Sequence, residues 1–153
     1  MASKECLDKL RQGVHVWNEW KKDKPESLLN LNGADLSGLD LRGIDLSGAD
    51  LSRADLGGAN LSKANLTRIN LTKANLSWVN FNRSNLSEAR LEKAVMNSAQ
   101  FSRAKLNGAV LDHACLREAD LSKADLAGAS LSGANLIDVQ FRGATMPDGS
   151  VYN

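Results

Sequence analysis

Bulky apolar residues recur at every fifth position from Leu31 to Met146 without a slip, giving 24 consecutive units. The series includes Leu31, Leu36, Leu41, Leu46, Leu61, Phe81, Leu86, Phe101, Leu121 and Phe141, which form the expected core. Two places before each centre stands a small or aliphatic residue, Ala in most units and Ser84 in one. An amphipathic helix needs apolar recurrence near 3.6 residues and a half-buried strand near 2, so a period of five fits neither. The inward pair of each unit is locally strand-like, and the chain must bend before the next unit if the next centre is to point inward as well. A unit this short buries its pair only by stacking on copies of itself, so the pattern predicts an all-β solenoid. Asp or Asn just before the centre, and Gly two places after it as at Gly33 and Gly38, suit the bends.

The first 28 residues follow another rhythm. Ser3 is placed to cap a helix, and Leu7, Leu10, Val14 and Trp17 follow at helical spacing, with Trp20 just beyond. One amphipathic helix with a short linker is expected over 1–28, the repeats over 29–148, and a tail over 149–153. The helix is expected to cover the apolar cross-section and unpaired edge of the first coil, which would otherwise invite end-to-end stacking. Docking of a partner protein is the competing reading of Trp17 and Trp20. At the other end Pro147, Asp148 and Gly149 break the rhythm with no second helix, leaving Met146, Val151 and Tyr152 to fold across the last coil. A monomer, or a dimer through this C-terminal end, is the expected state.

The unit A-(D/N)-L-x-x resembles the consensus of the pentapeptide-repeat family, and the match covers about four-fifths of the chain. VHVWNEW near the start and GATMPDGS near the end are similar to segments flanking the repeats in cyanobacterial members. The resemblance implies a right-handed quadrilateral β-helix with four units per coil, hence about six coils. Period counting by itself fixes neither the number of faces nor the hand. With four units per coil, residues 20 apart stack in columns, so Phe81, Phe101 and Phe141 join the column of Leu41, Leu61 and Leu121.

Composition agrees with one domain whose core is built of leucine and alanine, since 42% of the 153 residues are apolar and only 5% aromatic. No apolar run approaches the ~18 residues of a membrane span, and MASKECLDKLRQ lacks a signal peptide's apolar core, so a cytoplasmic protein without membrane contact is expected. Cys6 and Cys115 are far apart and form no CxxC pair, so free thiols are expected.

Catalysis needs a nucleophile, a base and a charge stabiliser converging in a concavity, and the outward positions offer no such set. Outward His113 and Cys115 lie close in sequence but lack a third ligand. Neither an enzyme nor a bound cofactor or metal is therefore expected. Charge sorts unevenly: the Leu41 face carries Arg42, Lys63, Arg83, Arg103, Lys123 and Arg142 against Asp40 and Asp120. The Leu36 face carries Asp35, Asp55, Glu118 and Asp138 against Arg117. The column Lys63, Arg83, Arg103, Lys123 is either a solvated ladder or an anion-binding surface, while Trp78, with Val95 and Ile137, is either a cover for neighbouring backbone or an anchor for a partner. A non-enzymatic scaffold or protein–protein interaction module, with its partner unidentified, is the leading functional expectation. Alternatives are DNA-mimic binding of DNA gyrase, which the resemblance offers but the net charge of +1 disfavours, and anion or nucleic-acid binding through the basic face; nucleic acid is the less favoured partner.

Overall fold

The computed structural model describes residues 1–26 and 29–153; Ser27 and Leu28, which close the expected linker, lie outside the described residues. From Asn30 onward, the residue before each centre forms a parallel bridge with the residue 20 places later, from Asn30–Asp50 to Asp125–Thr145. Four five-residue units therefore close one rung, and the rod is four-sided.

Each unit accounts for nearly all its backbone donors. The centre donates to the next rung, as from Leu31 N to Asp50 O at 2.7 Å, and the corner residue two places on does likewise, as from Gly33 N to Ser52 O at 2.9 Å. The small residue after the corner closes a turn within its own rung, as from Ala34 N to Leu31 O at 3.1 Å. The following residue donates to the preceding rung, as from Asp50 N to Leu29 O at 2.9 Å. Only the N–H after the centre has no backbone acceptor in this pattern, and the Asx side chain before the centre takes it, as from Asn32 N to Asn30 Oδ1 at 2.9 Å. An unpaired buried N–H is costly, which is why Asp and Asn dominate that place.

The turn geometry explains the glycines. Corner residues from Gly33 to Gly143 sit at positive φ, and fourteen of them, including Arg53, Trp78 and Arg83, are not glycine. A non-glycine residue there costs on the order of 1–2 kcal/mol, which the inter-rung hydrogen bonds on either side offset.

Inside the rod the centres are buried, Leu86, Phe81 and Phe101 completely. Phe81 and Phe101 stack with ring centroids 4.8 Å apart and an interplanar angle of 13°. Ser84 is the buried polar exception, and its hydroxyl donates to Phe81 O at 2.6 Å. Phe141 departs from the expected core: it is only partly buried, because no rung follows it, and it packs on Tyr152 at 5.7 Å instead. The expected tail turns back, with Val151 bridging Thr145 antiparallel and Tyr152 N donating to Ala144 O at 2.8 Å. Leu131, Ala134, Leu136 and Val139 of the last rung remain only partly buried.

The N-terminal segment forms two helices rather than the expected one, α1 over Lys4–Arg11 and α2 over Val14–Lys21. Gly13 causes the break: its φ of 106 lies where other residues rarely go, and its carbonyl starts α2 by accepting from Trp17 N at 3.0 Å. Ser3 caps α1, its hydroxyl accepting from Cys6 N at 3.4 Å. Leu10 and Trp17 are buried and Leu7, Val14 and Trp20 half-buried against the first rung. The helices also supply groups that a preceding rung would supply. Ser3 N donates to Asn30 O at 2.8 Å, Asn18 Oδ1 accepts from Asp45 N at 2.8 Å, and Trp17 Nε1 donates to Asp45 O at 2.7 Å. One side stays open, with Leu39 39% exposed.

Candidate functional site

The two residues after each centre make the corners of the rod, and the three extended residues between corners make its sides. Trp78 is a corner residue, so it borders the side carrying Asn75 and Val95 and also the side carrying Asn80 and Gln100. It is 69% exposed. No atom comes within 4 Å of where a Cβ would stand at Gly58 or Gly38, the corners one and two rungs before it, so the preceding rungs present bare backbone at this corner.

The far border of the Asn80–Gln100 side is the corner column Lys63, Arg83, Arg103, Lys123, all exposed and all at φ of 58 to 60. Among the described residues none of the four makes an ion pair, whereas Arg42 is held by Asp40 at 2.7 Å and Arg68 by Glu26 at 3.1 Å. Asn60, Asn80 and Gln100 form the side between the two corners and bear no charge. Asn82 ties the rungs here, donating to Gln100 Oε1 at 3.2 Å and accepting from Ser102 N at 2.8 Å.

The structure does not gather all the expected surface residues. Val95, 40% exposed, stands one rung from Trp78, but Ile137, 53% exposed, stands three rungs away, beyond Asn97 and Arg117. Cys115 Sγ donates to Asn97 Oδ1 at 2.9 Å, and the His113 ring occupies the space over Gly133, so thiol and imidazole are not paired. Among the described residues no three His, Cys, Asp or Glu side chains are placed to hold a metal ion. No helix among them is long and apolar enough to cross a membrane.

Sorting charge by face hides a second pattern that sorting by rung exposes. Residues 49–108 hold nine basic and four acidic side chains, a surplus of five, while 29–48 and 109–148 are both net acidic. Arg53, Lys73 and Lys93 add a further basic corner column on the opposite border of the rod. Overlapping that stretch and running beyond it, six successive units, at Arg90, Val95, Gln100, Lys105, Val110 and Cys115, lack the Asp or Asn that normally takes the N–H after the centre. Those side chains are released from the scaffold's hydrogen-bonding pattern. That run of departures was the available signal for the central rungs.

A sequence model described as Pentapeptide repeats matches in 8 copies, across 30–68, 49–87, 69–112, 84–122 and 114–148. Among solved structures, a pentapeptide repeat protein, Rfr23, from the cyanobacterium Cyanothece is similar at 24% identity and a TM-score of 0.61, with 89% of this chain and 97% of that one covered. A pentapeptide repeat protein of the Arabidopsis thaliana thylakoid lumen is similar at 23% identity and a TM-score of 0.51, covering 82% and 76% of the two chains. HetL of the cyanobacterium Nostoc, a pentapeptide repeat protein involved in heterocyst differentiation regulation, is 33% identical over 80% of this chain and 76% of its own, with a TM-score of 0.26. A search among curated proteins finds no match.

Proposed function

Because the chain belongs to the pentapeptide-repeat family, whose fold is a right-handed quadrilateral β-helix, we propose that it is a non-enzymatic interaction module of the cytoplasm. It is a rigid rod of about six coils, closed at its start by α1 and α2, that holds fixed columns of outward side chains for a partner. The observation that supports this most directly is the central band. There Trp78 stands 69% exposed near a column of four cations that form no ion pair among the described residues and whose backbone φ is near 60. Side chains held this way lose little backbone freedom on binding, so their contacts are not offset by a large ordering cost.

DNA mimicry is the weaker reading. It needs a negative field, and the middle of this rod carries a surplus of five positive charges. A pull-down from native cytosol tests the module reading, with wild type compared against Trp78→Ala and against Arg83→Glu/Arg103→Glu. Specific co-purifying material should be lost with one or both variants. An identical set on all three baits would remove the central band from the function.

A further inference from the structure

The geometry points to single-stranded nucleic acid as the partner of this central side, an inference that takes the interaction-module reading as its premise. Lys63, Arg83, Arg103 and Lys123 rise along one corner at the rung spacing, about 4.8 Å for paired strands. Three such intervals give a cationic edge ~14 Å long. None of the four is neutralised by an ion pair among the described residues. Asp120 and Glu118 share the rung of Lys123 and Asp138 lies one rung further, so an anion along this side ends at Lys123.

Trp78 decides between kinds of polyanion. It shares its rung with Arg83, and only the uncharged side of Asn80 separates the two corners. The two preceding corners of its column, Gly58 and Gly38, carry no side chain and nothing stands within 4 Å of where a Cβ would be, so a flat ring can approach the 69% exposed indole from that side. A single strand supplies both halves of a match, phosphates for the cation column and an unstacked base for the indole. A duplex keeps its bases stacked on one another and gives Trp78 nothing. The carboxylates of an acidic peptide engage the cations but offer the indole no flat ring.

The test uses the full chain and a fluorescent twelve-residue oligothymidylate, with anisotropy read over a salt series. Each phosphate neutralised on a single strand contributes about −0.7 to the slope of log K against log salt, so four cations predict a slope of about −2.8. Arg83→Gln/Arg103→Gln should roughly halve that slope. Trp78→Ala should leave the slope unchanged and weaken binding roughly 5- to 140-fold, the loss of one stacked base. Melting curves of both variants should match wild type, since all three side chains are exposed.

Two competitors separate the outcomes. Stronger competition by unlabelled oligothymidylate than by the matching duplex or by polyglutamate supports the inference. Equal competition by polyglutamate, with Trp78→Ala binding the oligonucleotide as wild type does, overturns it in favour of an acidic protein and leaves the module reading standing. No binding of the oligonucleotide at 50 mM salt overturns it outright, and the cytosolic pull-down then decides the module reading separately.

Discussion

The indole nitrogen of Trp17 donates to the backbone carbonyl of Asp45 at 2.7 Å, filling on the first rung the place that a strand of a preceding rung fills elsewhere. Trp17 is also fully buried. Trp17→Phe keeps most of the packing and orphans that carbonyl, so it should cost ~1–3 kcal/mol in urea unfolding. Trp17→Ala should cost ~3–5 kcal/mol. A Trp17→Phe protein as stable as wild type would show that the edge carbonyl is satisfied without the indole.

Asp45 also makes the contact between α2 and the rod sensitive to acid. Burial alone would push its carboxyl up, but hydrogen bonds from Lys21 at 2.8 Å and from Ser47 outweigh it and hold the group below its usual 3.8. A depressed folded-state value contributes stability that is present above the unfolded pKa and lost as pH falls through the folded one. Asp45→Asn should therefore be less stable than wild type at pH 7, and the gap should close as pH falls below about 4. A gap that stays constant to pH 3, followed by urea melts, would contradict this assignment.

Leu86 is fully buried, between the rungs of Leu66 and Leu106. Leu86→Asp places an unpaired carboxylate there and breaks two rung interfaces, so the chain should not fold. A soluble protein with one cooperative melt would contradict the packing register.

Gly48 and Gly58 share a φ near +70, so alanine carries the same backbone strain at both. They differ in what stands in front of them. A Cβ at Gly58 meets nothing, whereas one at Gly48 runs into the Glu26 carboxyl group, which pairs with Arg68 at 3.1 Å. Gly58→Ala should cost about 1–2 kcal/mol, and Gly48→Ala measurably more because it also expels Glu26. Equal costs in thermal melts would mean that Glu26 is readily displaced.

The last rung leaves Leu131, Ala134, Leu136 and Val139 only partly buried. We expect dimers to form through this end, and, being apolar, to persist at high salt. Sedimentation should show association that rises with concentration and is abolished by Leu136→Lys. Association that Leu136→Lys leaves unchanged would place the contact elsewhere.

Most of the scaffold was legible because a strict period leaves few ways to bury it. Leu31, Leu86 and Phe101 could be placed inside from spacing alone, and Asn30 or Asp50 at a bend from side-chain chemistry. The backbone showed what the consensus could not, that the Asx side chain completes the donor set of its unit. The helix break was missed because Val14 and Trp17 continue the spacing of Leu7 and Leu10 across Gly13, so periodicity outweighed the one residue that interrupts it. Trp78 and the Lys63 to Lys123 column were visible as outward departures. Their sharing of one side was not, because corners and sides divide the five residues only once the turn hydrogen bond is located.

The 20-residue rung also governs how this rod can change length. Duplicating or deleting 20 residues returns every later side chain to its own column, altering reach and nothing else. Losing the five residues 79–83, just after Trp78, would turn everything downstream by a quarter revolution, carrying Arg103 and Lys123 onto the Trp78 corner itself. Insertions and deletions are therefore graded by arithmetic rather than by size, and a descendant four units shorter would keep more of this surface than one shorter by a single unit.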